Sequence, residues 1–152
     1  VSNVNDRQVG GSHYQSRYQH WDFVVRVLNN RYLEGAVTKY VTRWRKKNGK
    51  QDLEKAAHYL QKLIDEHLNQ RVQPIGKFSV MLDEARSFSA CNNCGPYETA
   101  IVSILATWET IQDLRTAEQA LHELTEHADI EAQNQQLSAV KRESMIGAHY
   151  PI

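Results

Sequence analysis

Cysteine, proline and long apolar runs are all scarce in this chain: 152 residues hold two cysteines and three prolines. Two cysteines cannot build a disulfide scaffold and fit a reducing compartment. They stand together in "CNNC", residues 91 to 94, without the second pair that a four-ligand zinc site needs and without a βαβ pattern around them. Two reduced thiols in a turn, and no metal, are expected there. No stretch approaches the roughly 18 to 20 apolar residues of a membrane span. The start shows no basic, apolar, then small-residue leader, so a cytoplasmic protein with no membrane contact is expected. Period-two alternation never lasts more than a few residues, which excludes a substantial sheet. The phosphate-cradling pattern G-x-x-x-x-G-K-S/T is absent, and "VGGSH" at 9 to 13 has no strand before it to aim its amides.

What is present suits a globular chain. Apolar residues make up 41% and charged residues 24%, enough for one domain with a core or a small domain plus an appendage. The net charge of zero hides an asymmetry. From Arg31 to Lys62 nine basic residues face three acidic ones, whereas from Tyr97 to Glu131 eight acidic residues face Arg115 alone. An anionic ligand is therefore to be sought in the first half, and the acidic second half disfavours a long polyanion such as nucleic acid.

Periodicity reads as helix almost throughout, and an all-α, compact bundle of about five to six helices is expected. "HWDFVVRVLNN", residues 20 to 30, puts Trp21, Val24, Val25 and Leu28 at helical spacing, with "NN" as a stop. A second helix over 32 to 47 carries Leu33, Val37, Tyr40, Val41 and Trp44 on one stripe. Asp52 can cap a third, running to Leu68, with Leu53, Ala56, Leu60, Leu63 and Ile64 inward. These three make a compact basic unit over 1–73. The break at "NQRVQPIGK" separates it from an acidic helical segment, 74–152, that packs on it. That segment holds a short helix over 78 to 88, a turn leading to Pro96, and two further helices with Asp113 as the cap or break between them. The polar tail from about 132 either extends the last helix, swaps onto a neighbour or stays mobile. Apolar faces at Ala100, Ile101, Ile104, Leu105 and Trp108, and at Ala117, Ala120, Leu121 and Leu124, point to a homo-oligomer that uses whatever area the core leaves over.

On the second helix Lys39, Arg43, Lys46 and Lys47 recur at offsets of three and four, a cationic row opposite the apolar stripe. Lys55, His58, Tyr59 and Lys62 offer a related face on the third. Two such faces meeting across "KKNGKQD" can hold a phosphate, with Arg43 as a bidentate donor and the lysines as point charges. Exposed basic rows are also common as plain solvated surfaces, and Tyr40 and Tyr59 also fit the edge of a core. Near the N-terminus "GGSHYQSRYQHWDF" crowds ligand-grade side chains behind Gly10 and Gly11, where His13 and Tyr14 can reach a phosphate or stack on a base. A flexible terminal arm is the plainer alternative.

The order "SHY", "GAVTKYVTRWRKK", "DLEKAAHYL" resembles a widespread family of small phage proteins described as nucleotide kinase-like or SaV-like. The resemblance covers roughly residues 9 to 68. His13, Tyr14, Gly35, Lys39, Tyr40, Arg43, Lys46, Lys47, Asp52, Lys55 and Tyr59 match its pattern, while Trp44 and Arg45 replace an Ala-Gly pair. It implies a viral protein in the cytoplasm of an infected bacterial host, with nucleotides as its ligands. It also implies transfer of phosphate to deoxynucleoside monophosphates, with ATP as the donor. Without a P-loop such a kinase must rest on side-chain cations, with Asp52 as the candidate base or metal-orienting carboxylate beside its ordinary use at a helix start. The alternative is a non-catalytic protein that sequesters a host signalling nucleotide, such as a cyclic one, against antiviral defence.

Overall fold

The computed structural model describes residues 4–7, 9, 16–76 and 78–148. Among them are six α-helices and no strand, so the fold is all-α: α1 (His20–Arg26), α2 (Tyr32–Arg43), α3 (Lys50–Leu68), α4 (Ser79–Cys91), α5 (Pro96–Thr107) and α6 (Ile111–Ala148). No helix is long and apolar enough to cross a membrane.

The stripe expected on α3 is buried, and so is that on α2 except for Leu33 and Tyr40, which are buried in part. Val37, Val41 and Trp44 meet Leu53, Ala56, Leu60, Leu63 and Ile64, and Ile101, Leu105, Trp108, Leu114, Ala117, Leu121 and Leu124 of the acidic segment close the same core. The acidic half thus packs directly on the basic one. Each fully buried large aliphatic contributes about 1.5 to 3 kcal/mol, so this shared core supplies most of the cohesion.

α1 departs from expectation in two ways. It ends at Arg26, and Asn29 and Asn30 turn the chain with φ of 51° and 58°. Its buried face is Phe23, with Val27 and Leu28 beyond it, whereas Trp21 is 46% exposed and Val25 is exposed as well. The reason lies across the fold. Phe23 stacks on Phe88 of α4 at 4.3 Å, and Ala85, Val102 and Ala106 complete a second core there. α1 is thus held by α4 and α5 as well as by α2, where His20 meets Thr38 and Val24 lies against Gly35.

The second correction concerns α2, which stops at Arg43 instead of running to 47. Trp44–Lys46 tighten into a 3-10 turn, and Gly49, at φ 57°, bonds back to the Trp44 carbonyl at 2.8 Å. Trp44 is buried, and that burial draws the chain inward. Consequently α3 begins at Lys50 behind Gly49, and Asp52 is its third residue rather than its cap. Asp113 has the same place in α6: its carboxylate accepts from the Glu109 and Thr110 amides at 2.8 and 3.0 Å, while its own amide donates to Thr110 Oγ1.

α6 absorbs the tail, running 38 residues to Ala148, about 57 Å at 1.5 Å per residue. Residues 131 to 147 are exposed throughout. The faces expected to leave area for a neighbour are largely spent within the chain, since Ile101, Leu105, Trp108, Ala117, Leu121 and Leu124 are buried. On α6 the large apolar side chains left in solvent are further along, at Ile130, Leu137, Val140, Met145 and Ile146.

Candidate functional site

The α2 and α3 faces that flank the core edge bring most of the expected binding residues together. Tyr40 and Tyr59 lie across the helix pair with rings stacked at 5.8 Å and 17°. Tyr32 meets Tyr59 edge-on at 6.0 Å, and their hydroxyls are 3.5 Å apart. That hydrogen bond holds the Tyr32 phenol above its ordinary range. Two cations sit on the Tyr40 ring: the Arg43 guanidinium at 4.8 Å and the Lys55 ammonium at 5.5 Å from its centroid. Both distances are inside cation–π range.

Arg43 has a second task. Its Nε and Nη2 approach the two carboxylate oxygens of Asp52 at 3.2 and 3.3 Å, and Asp52 is fully buried. Asp52 also accepts from the backbone and side-chain nitrogens of Asn48, both at 3.4 Å. This carboxylate therefore ties the end of α2 to the start of α3. The fork expected to clasp a phosphate is engaged by Asp52, so Arg43 adds positive charge and ring packing to the site, while Asp52 is occupied in holding it.

Lys46 and Lys47 do not continue the row. The helical offsets that would align them end where α2 gives way to the 3-10 turn. Lys46 lies close enough to Cys94 to act on its thiol, and Lys47 is exposed in the turn that follows. Lys39 does belong to the site. Its charge reaches Tyr32 on one side and His20 on the other. His13 and Tyr14 lie outside the described residues.

His20, given little weight by the sequence, is brought by packing into contact with α2 and to the wall of a cleft. Its Nε2 is 2.8 Å from Thr38 Oγ1, one helix away, and burial together with Lys39 and Arg43 pushes its pKa down to about 4. With Gln19, Trp21, Lys39 and the arm residues Val4, Arg7 and Val9 it lines a cleft of about 500 Å³. The only sequence signal was its neighbourhood, an indole and an imidazole at a helix start. Tyr18 is structural: it packs edge-on to Phe88 at 5.4 Å and donates to Glu84 at 2.8 Å, and burial with that carboxylate pushes its hydroxyl up to about 12.

The "CNNC" turn ends α4. Cys91 is exposed; Cys94 is half-buried, and burial beside Glu98 pushes its thiol up to about 11. Among the described residues no three His, Cys, Asp or Glu side chains are grouped to hold a metal ion.

No curated protein and no solved structure matches this chain. The likeness to phage nucleotide kinase-like proteins is corrected by what the same blocks do match. Over residues 9–61, about a third of the chain, the match is to the family described as Protein of unknown function (DUF3310), and nothing in it indicates a nucleotide kinase.

Proposed function

We propose that the α2–α3 face binds the phosphate of a small phosphate-bearing molecule, a nucleotide, and holds it without transferring it. One observation carries the reading: Arg43 and Lys55 sit on the ring of a half-buried tyrosine pair, Lys39 acts on the adjoining Tyr32, and Asp52 is the carboxylate tied to Arg43. Three cations against one carboxylate leave about two positive charges, which complements a phosphate monoester dianion. At about 5 Å and an effective dielectric near 20, each cation is worth about 3 kcal/mol of gross attraction before screening. The Tyr32 and Tyr59 hydroxyls add donors, and the ring faces add apolar surface.

Binding is favoured over catalysis by the state of the carboxylate. A general base must reach the attacking hydroxyl, and the Asp52 oxygens already receive Arg43 and Asn48 inside the protein. The size of the face and the acidic character of α5–α6 also suit a small ligand better than a nucleic acid.

Calorimetric titration with mono-, di- and cyclic nucleotides tests this, beside a transfer assay with ATP and a nucleoside monophosphate. Micromolar to millimolar binding is expected, weakening with salt, and falling five- to tenfold in Lys39→Ala and in Lys55→Ala. Turnover in the transfer assay, or binding unchanged in both variants, overturns it.

A further inference from the structure

The cleft beside Lys39 has the size and lining of a second part of the same site. Its volume of about 500 Å³ lies inside the usual 300 to 1,000 Å³ for small-molecule pockets. Its outer wall is the arm, pinned to α1 by Gln19 Nε2 donating to the Asn5 carbonyl at 2.7 Å and by Asn5 Nδ2 donating to Asp22 at 2.8 Å. Lys39 lines the cleft and also acts on Tyr32, so the cleft opens beside the cations of the α2–α3 face.

The hydrogen bonds around Thr38 fix what His20 can offer there. A threonine hydroxyl has one proton, and Thr38 directs it to backbone carbonyls of its own helix, Glu34 at 2.9 Å and Gly35 at 3.2 Å. With that proton kept on its own helix, Thr38 Oγ1 accepts from His20, which assigns the imidazole proton to Nε2. The ring is neutral at physiological pH, because its folded pKa of about 4 lies well below that range. On that tautomer Nδ1 is the accepting nitrogen. His20 cannot serve as a cation for phosphate; it asks for a donor. Trp21, half-exposed in the same cleft, supplies a ring face on which a planar group can stack.

We propose that this cleft takes the base of the bound nucleotide and selects one carrying an exocyclic amino group, donated to His20 Nδ1 while the ring stacks on Trp21. The inference rests on reading the α2–α3 face as the phosphate site. A carbonyl in place of the amino group would set lone pair against lone pair, so adenine and cytosine are accepted and hypoxanthine and uracil are disfavoured.

The test pairs AMP with IMP and CMP with UMP on the full chain, by calorimetry and by tryptophan fluorescence, with inorganic phosphate as a competitor. AMP and CMP are expected to bind about tenfold tighter than IMP and UMP. They should also quench emission, and Trp21→Phe should abolish the quench while Trp44 and Trp108, both buried, stay silent. His20→Phe should erase the amino preference, and the ligand pairs decide the matter even if that variant fails to fold. Equal affinities within each pair, or no loss of quench in Trp21→Phe, overturns the base site while phosphate competition still upholds the phosphate site. If neither phosphate nor any nucleotide binds, the phosphate site falls and the base site with it.

Discussion

The indole Nε1 of Trp108 donates to Glu34 Oε1 at 3.1 Å, joining residues 74 positions apart inside the protein. Both are all but buried, and Arg31 completes the arrangement, its guanidinium 2.8 Å from the same carboxylate and 5.6 Å from the indole centroid. His67 also meets the indole, edge-on at 4.9 Å. The start of α2, the end of α3 and the end of α5 are locked at one point.

Removing the carboxylate from that point leaves a buried indole N–H and an uncompensated arginine. Glu34→Ala is expected to lose about 3 kcal/mol of unfolding free energy, by urea denaturation. Glu34→Gln, whose amide oxygen can still accept from Trp108, should lose less, about 1 to 2 kcal/mol. Glu54→Ala, on the exposed side of α3, should stay within about 0.5 kcal/mol and serves as the control.

Arg43→Ala should act on stability before it acts on ligand. Without its partner the fully buried Asp52 carboxylate is stranded, and a loss of about 3 kcal/mol is expected. Replacing both, Arg43→Met with Asp52→Leu, should recover a good part of that loss while still weakening ligand binding. A stable Arg43→Ala protein with only binding impaired would show that Asp52 is not held by this pair.

His20 makes stability depend on pH. Its pKa is about 4 in the folded protein against 6.5 when exposed, so between those values the unfolded chain binds more protons than the folded one. Stability contributed by the neutral ring is present above pH 6.5 and is lost as the pH falls towards 4. The change is at most about 3 kcal/mol over that window, at 1.36 kcal/mol per unit. Thermal melts from pH 4 to 7.5 should show it, and His20→Phe should flatten that part of the profile.

The outer part of α6 should be dispensable for folding. Residues 131 to 147 are exposed throughout, and the last buried side chain of the helix is Leu124. Truncation after Ile130 is expected to remove helical signal by circular dichroism while shifting the melting temperature by no more than about 2 °C. A large fall would mean that the outer helix supports the core.

The helices and the inward faces of α2 and α3 are legible from spacing alone, because twelve or more residues of period 3.6 leave only one stripe that can be buried. α1 has seven residues, hardly two turns, and two stripes compete in it. Phe88, 65 residues further on, decides for Phe23 over Trp21, and so leaves the indole at the mouth of a cleft. The cationic row read from offsets fails at Trp44 for a similar reason: burying one indole turns the chain and carries Lys46 and Lys47 off the helix face. The types of group in the site, tyrosines among lysines and arginine, were thus a property of the sequence. Which arginine is spoken for by a buried carboxylate, and which hydroxyl meets His20, was decided by tertiary structure, because hydrogen bonds are settled by neighbours that chain order does not specify.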